Sequence, residues 1–392
     1  MQDSTAVSEA SPHPLRPWLK VVIAFILLDV VVFRCGLFWR LTPDFGADLA
    51  AAVWSQVYMN ASVVERERPA NAVTLVGSSV VGVGIFPELL AAQLGTDQVP
   101  ANVVKLSTFG ASCTDSALMA WSALNMRPWL VIYGAIPRDF GKSGYRETPV
   151  FRTFYDSSTR LPLVPAPDTA TWLDGEVRHW WKLYRYRFFA RAALRGVVSK
   201  SLDLLPASVF ADEEPAVADD VERFPRGHVA PEAYAAWTEW RKTRRFSDYL
   251  KYLQLGEAGK WALQGYQSEN MVNNGPASNP HVASLKWLLE LLRRNHTRVV
   301  LALFPENPVF RDPEARPYLD QTLSDTYARL LRNDARDYGA RFVDLRGALE
   351  AEDFYDLRHP NMEGARKLTH VIGQIIEEEW QARQQAAGAV NG

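Results

Sequence analysis

The sequence predicts an α/β fold: a three-layer sandwich around a five-stranded parallel sheet, with a transmembrane helix at its N-terminus and a largely helical insertion. Three observations lead there. Short β-branched or apolar runs, closed by small or polar turn residues, alternate with helical patterns at the spacing of a parallel sheet. The alternation fills 72–140, stops, and resumes over 278–380. An apolar stretch flanked by Trp and basic residues precedes the first strand.

Composition supports a folded chain of one large or two ordinary domains and removes some partners. Of 392 residues, 47% are hydrophobic and 22% charged, enough to build a sizeable core. Lys and Arg number 43 against 45 Asp and Glu, a net charge of −2, which offers no basic surface for nucleic acid. There are two Cys, Cys35 and Cys113, and a disulfide between them is not expected because Cys35 lies in the membrane-like segment. No Cys/His spacing resembles a metal site, and no cofactor is expected. A dinucleotide loop at Gly77, Gly82 and Gly84 is excluded: its last Gly is missing, and the second strand ends without a ribose-binding acid.

Taken in order, residues 1–17 form a polar, Pro-containing tail. Residues 18–40 are read as a membrane anchor. Its apolar part, Val21 to Phe33, is shorter than the roughly 20 residues a bilayer requires. Extension to Trp39 makes it long enough, with Lys20 and Arg34 snorkelling and Trp18 and Trp39 at the two interfaces. A cleaved signal peptide and a buried core helix are the alternatives, though no small-x-small cleavage site follows. Flanking basic residues are balanced and do not orient the segment. Asp29 in mid-span calls for a polar partner, such as another helix.

Residues 41–140 are the first part of the α/β domain. A helical connection over 48–64 leads to strand Ala72–Val76 and the turn Gly77-Ser78-Ser79. A short helix follows from Pro87 to Leu94, with Pro at its start and Gly95 past its end. Next come strand Asn102–Leu106, a loop from Ser107 to Ser112, helix Thr114–Asn125 and strand Trp129–Gly134, which runs into Pro137-Arg138-Asp139. The alternation then breaks over 141–277, read as an inserted cap. It holds the aromatic-basic runs Trp180–Phe189 and Trp237–Arg245, and an acidic loop near 206–232 expected to be mobile. Residues 278–382 complete the domain, with a helix around 284–292, strand Arg298–Phe304, a helix near 316–337 and strand Arg341–Leu345. A final amphipathic helix carries Leu368, Ile372, Ile375 and Ile376, and 383–392 is read as a tail.

Ser79 follows the first strand, at the sheet edge where α/β proteins bind ligands. A Ser hydroxyl becomes a nucleophile when a base takes its proton and a third group orients that base. His359, after the fifth strand, can be the base, and Asp356 on the same turn can hold its Nδ1. Backbone N–H groups of Ser79 and Gly110 can supply an oxyanion hole. Each residue also has a plain structural reading: Ser79 as a turn or cap residue, Asp356 as a turn former, His359 as a helix-start residue. His179, His228, His281, His296 and His370 lack partner spacing and are read as structural or solvated. Trp180 and Trp240 are candidates for stacking on sugar rings, with core packing as the alternative.

Order and spacing resemble the SGNH/GDSL hydrolase superfamily: Gly-x-Ser after the first strand, Gly after the second, and Asp-x-x-His before the last helix. Gly-Ser-Ser in place of Gly-Asp-Ser, with an N-terminal anchor, is similar to its membrane-anchored branch. That branch includes D-alanyl-lipoteichoic-acid transfer proteins and acetyltransferase-like proteins of exopolysaccharide modification. The resemblance implies Ser79 as nucleophile, Asp356 and His359 completing a triad, and Gly110 in the oxyanion hole. The family's third block carries Gly-x-Asn, whereas this chain has Gly134-Ala135-Ile136-Pro137-Arg138-Asp139, so Arg138 or Asn307 would have to replace the Asn donor.

The expected activity is therefore that of a serine esterase or O-acyltransferase acting on acyl groups of a cell-surface polysaccharide or glycolipid. The resemblance further implies an extracytoplasmic domain held at the cytoplasmic membrane and a partner membrane-bound O-acyltransferase. A non-catalytic glycan-binding or scaffolding component of a polysaccharide-modification complex is the rival from another class. A lipid-acting esterase with the insertion as lid is a third reading.

Overall fold

The computed structural model describes residues 15–42, 52–67, 69, 71–96, 99, 102–141, 148–162, 166, 168–202, 231–243, 245–255, 279–315, 321–354 and 356–391. Five strands form one sheet: β1 (Val73–Gly77), β2 (Val103–Ser107), β3 (Leu130–Ala135), β4 (Arg298–Leu303) and β5 (Arg341–Asp344). Their order is β2-β1-β3-β4-β5 and every pair is parallel. This is the sheet expected from the apolar runs, with strand ends shifted by a residue.

The helices in chain order are α1 (Leu15–Leu28), α2 (Leu37–Leu41) and α3 (Ala52–Ser62) before β1; α4 (Ser79–Gly84) and α5 (Pro87–Thr96) between β1 and β2; and α6 (Cys113–Ala123) between β2 and β3. Between β3 and β4 lie α7 (Pro149–Phe154), α8 (Thr169–Trp180), α9 (Lys182–Arg185), α10 (Arg187–Leu202), α11 (Pro231–Thr243), α12 (Phe246–Leu255) and α13 (Pro280–Arg294). Then come α14 (Gln321–Tyr338) before β5 and α15 (Met362–Asn391) after it. The expected tail at 383–392 is thus a continuation of the last helix through Asn391.

Strand alternation divides the core into two layers. In β4, Val299, Leu301 and Leu303 pack with α3, α6, α13 and α14, while Val300 and Ala302 face α4, α5 and α15. Both faces are covered, which is why the strands read as apolar runs rather than as alternating patterns. The chain moves from β1 outward to β2, then returns past β1 to β3. Connections therefore leave β1 and β3 in opposite directions, which makes the carboxyl ends of these two strands the switch point where such sheets bind ligands.

The N-terminal segment departs from expectation. Residues 18–40 are not one spanning helix: α1 ends at Leu28, a π-helical turn covers Asp29–Arg34, and Gly36 at φ +73° breaks the chain before α2. Among the described residues no helix is long and apolar enough to cross a membrane. Trp39, expected at a lipid interface, is fully buried, and Phe33 and Phe38 join it in the core beside Tyr58, Tyr186 and Phe189. The physical cause is Asp29. Its buried carboxylate pairs with Arg34 at 2.8 Å and accepts a hydrogen bond from the Leu183 N–H at 2.5 Å, so its polar partners come from its own chain. Upstream of Asp29, α1 leaves Trp18, Leu19, Ile26 and Leu27 exposed.

Trp39→Ala is expected to cost about 3–5 kcal/mol, the range for truncating a buried aromatic. The denaturation midpoint of the full chain in mild detergent measures it; a lipid-facing Trp39 would leave that midpoint unchanged.

Several aromatics anchor the insertion to the rest of the domain. Tyr186 and Phe189 are buried, and Phe188 stacks on Trp54 at 3.9 Å. Lys182 and the Tyr186 hydroxyl both reach Glu65. Trp240 corrects the sugar-stacking expectation: it is 1% exposed, with its ring 4.6 Å from Tyr249. Trp180 is exposed at the end of α8. The acidic loop near 206–232 and His228 lie outside the described residues, apart from the start of α11.

Candidate active site

The strand-to-helix turn after β1 is forced tight by its neighbours. Gly77 pairs with Gly134 across β1 and β3, and a Cβ on Gly77 would sit 2.6 Å from the Gly134 carbonyl oxygen. A Cβ on Gly134 would meet the Phe304 ring at 2.7 Å. Only glycine lets the turn cross this closely over β3. Ser78 then takes extended backbone as the helix cap, and Ser79 is the first residue of α4. Val80 and Val81 pull α4 into the core.

The far end of α4 is held by a half-buried cation. Lys105 on β2 donates to the carbonyls of Gly82 and Ile85 at 2.5 and 2.9 Å. Burial lowers its pKa, with the charge of Glu88 opposing. Helix α15 docks on the same short helix: a Cβ on Gly84 would contact Leu368 and Pro360, each at 3.2 Å, and Thr369 Oγ1 accepts from the Phe86 N–H. This docking carries the turn before α15 across to Ser79.

On that turn, Asp356 Oδ1 accepts from the N–H groups of Arg358 and His359, each at 2.7 Å. Its other oxygen lies 2.7 Å from His359 Nδ1. His359 Nε2 lies 2.8 Å from Ser79 Oγ. Burial pushes the Asp356 carboxyl up, but the charge of His359 and the hydrogen bonds from His359 and Arg358 outweigh it and leave the pKa below its ordinary value. An ionised Asp356 can only accept, so Nδ1 carries the proton and Nε2 is left to accept from Ser79. The structure thus brings Ser79, His359 and Asp356, which the sequence singled out, into one continuous relay.

The proposed oxyanion donors fare differently. Gly110 lies in the turn after β2 at φ +66°, a backbone state that favours glycine. Arg138 is half-buried on the 3₁₀ turn Pro137–Phe140 after β3, beside buried Asp139. Asn307 corrects the expectation. Fully buried, its Nδ2 donates to the Asp356 carbonyl at 3.1 Å and its Oδ1 accepts from the Val309 N–H at 3.1 Å. Its own N–H donates to the Leu357 carbonyl at 3.1 Å. Asn307 holds the loop that carries Asp356 rather than facing Ser79. Asn307→Ala is expected to loosen this loop and to slow any acyl transfer to Ser79 about 10-fold or more, since small displacements of reacting groups cost up to about 10²-fold. Steady-state kinetics with an aryl ester checks it; unchanged kcat would contradict the role.

Several groups escaped sequence reasoning. Lys105 sits on a strand where a lysine reads as an edge charge. Gln56 and Asn60 on α3 reach the Gly110 loop through contacts 53 and 47 residues apart, which no local spacing signals. Both cysteines are free, and burial pushes the Cys113 thiol well above its ordinary pKa. Among the described residues no cluster of three His, Cys, Asp or Glu is placed to hold a metal ion.

A Ser–His–carboxylate relay of this geometry can pass the Ser proton to imidazole as Oγ attacks an acyl carbonyl. A protein-family model matches residues 262–381, the part of the chain with β4, β5, Asp356 and His359 but not Ser79. No curated protein matches the chain. Among solved structures it is similar to a GDSL-like lipase from Bacteroides thetaiotaomicron VPI-5482, at 12% identity and a TM-score of 0.32, over 87% of this chain and 98% of that one. A likeness at that score adds nothing to what the site geometry supports.

Proposed function

We propose that the protein is a serine-dependent esterase or O-acyltransferase that works through an acyl-Ser79 intermediate. The observation that carries this reading is the Ser79–His359–Asp356 relay at the carboxyl edge of the sheet, where the connections from β1 and β3 part. His359 Nε2 takes the Oγ proton as Oγ bonds to the acyl carbon. The resulting oxyanion rests on backbone N–H groups at Ser79 and Gly110. As the tetrahedral species collapses, His359 returns the proton to the departing alkoxide, and the acyl group stays on Ser79. Water or a sugar hydroxyl, deprotonated by His359, then takes the acyl group. Water yields hydrolysis and the sugar yields transfer.

The substrate in this proposal is a cell-surface polysaccharide or glycolipid, whose acyl groups are cleaved or whose hydroxyls are acylated. The exposed apolar surface of α1 supports a membrane-associated location, and a domain outside the cytoplasmic membrane with a membrane-bound O-acyltransferase partner completes the reading. The glycan-binding rival loses one of its two stacking candidates with the burial of Trp240.

The test is a fluorophosphonate probe on the full chain in mild detergent, read by intact mass and peptide mapping. A single adduct on Ser79 is expected. A folded chain that forms no adduct, and that hydrolyses no aryl ester, would end the catalytic reading.

A further inference from the structure

The loop that carries Gly110 is clamped by a helix from outside the sheet. Asn60 Nδ2 donates to the Ser107 carbonyl at 2.9 Å, and Gln56 Oε1 accepts from the Phe109 N–H at 2.7 Å. Both side chains stand on α3, one turn apart, so they share one face of that helix. Asn60 is buried and Gln56 half-buried. The amide orientations follow from chemistry: a backbone N–H can only donate and a carbonyl can only accept.

These two bonds act on specific peptide units. The Asn60 bond fixes the Ser107–Thr108 unit, and the Gln56 bond fixes the Thr108–Phe109 unit. The next unit carries the Gly110 N–H. Beyond it, the Ala111 N–H closes the turn onto the Thr108 carbonyl at 3.3 Å. Ser112 then caps α6 in a reciprocal arrangement with Asp115, whose other oxygen accepts from Thr148 Oγ1 at 2.6 Å. The Gly110 N–H is therefore bracketed by fixed peptide planes on both sides, and α3 supplies the upstream pair.

We infer that Gln56 and Asn60 are positioning residues for the oxyanion hole, preorganising the Gly110 N–H through the backbone. The inference rests on the reading of Ser79 as nucleophile and Gly110 as oxyanion donor. Helix α3 is itself fastened at its other side, where Trp54 stacks on Phe188 and Tyr58 shares a hydrogen bond of 2.8 Å with Thr42. It is thus a firm support rather than a loose connection, and preorganised donors are worth most when they cannot relax.

The test exploits opposite chemistry at the two amides, using the full chain. Gln56 acts only as an acceptor, so Gln56→Glu keeps the needed oxygen while Gln56→Leu removes it. Asn60 acts as a donor, so Asn60→Asp removes the donor and sets a carboxylate against the Ser107 carbonyl. The readouts are the second-order rate of fluorophosphonate labelling at Ser79 and the kcat and KM for p-nitrophenyl acetate.

Gln56→Leu and Asn60→Asp are expected to slow labelling and lower kcat by about 10–10²-fold with little change in KM, and Gln56→Glu to recover most of the loss. A thermal melt of each variant separates this from unfolding. Two results would overturn the inference while leaving Ser79 a nucleophile: Gln56→Leu labelling at the unaltered rate, or a folded Gln56→Glu as slow as Gln56→Leu. Absence of any Ser79 adduct on the unaltered chain would instead remove the active-site reading, and this inference with it.

Discussion

Ser79→Ala is expected to abolish fluorophosphonate labelling and to lower ester turnover by about 10⁴–10⁶-fold, with His359→Ala close behind it and the double variant no worse. Residues that act as a unit give such non-additive losses. The reason lies in the 2.8 Å contact between Ser79 Oγ and His359 Nε2. Without the hydroxyl there is no nucleophile for the base to activate. Without the imidazole the hydroxyl keeps its proton. Ser79 occupies the first turn of a helix whose packing rests on Val80, Val81 and Gly84, so Ala at 79 fits the same backbone and leaves the fold intact. Labelling, aryl-ester kinetics and a thermal melt run together decide the matter. An adduct that persists on Ser79→Ala would place the reactive group elsewhere.

Asp356→Asn is the second large effect, an expected fall in kcat of about 10⁴-fold with the loop retained. Asn still accepts the backbone N–H groups of Arg358 and His359 through its oxygen. Facing His359 Nδ1 with an amide N–H, however, it selects the tautomer that leaves the proton on Nε2. That tautomer cannot take the proton of Ser79. The same substitution has a signature in stability. The folded pKa of Asp356 is lowered, so its ionised form stabilises the fold fully above the unfolded value of about 3.9. That contribution disappears as pH falls through the lower folded value. The gap in denaturation midpoint between the unaltered chain and Asp356→Asn should be steady above about pH 5 and narrow in more acid solution. A gap that widens in acid would contradict the direction of the shift.

Much of the frame is visible in the amino-acid order because the sheet is buried on both faces. Runs such as Val299–Leu303, apolar throughout, and Val73–Val76, broken only by the buried Thr74, are closed by turn residues and leave little choice of element. Ser79, Asp356 and His359 were legible for a different reason: each follows a strand end, and parallel strands deliver their carboxyl ends to one edge. What failed was environment. Hydropathy around Trp39 is the same whether the neighbour is lipid or protein, so the run from Val21 to Trp39 reads as one anchor although Phe33, Phe38 and Trp39 pack into the core. Trp240 likewise reads as a platform because its exposure depends on Tyr249, nine residues away and on another helix. The roles of Gln56, Asn60 and Asn307 depend on side-chain bonds to backbone in distant loops, and such bonds leave no periodicity.

Ser79 and His359 lie 280 positions apart, and they meet only when α15 settles on α4. A ribosome therefore completes β1, β2 and β3 long before it has made the imidazole that would switch Ser79 on. On the proposed mechanism, the nascent chain carries through most of its synthesis a Ser79 with no base to activate it. On the same reading, a protease cut between β5 and Asp356, followed by loss of the last helix, would return the protein to that silent condition.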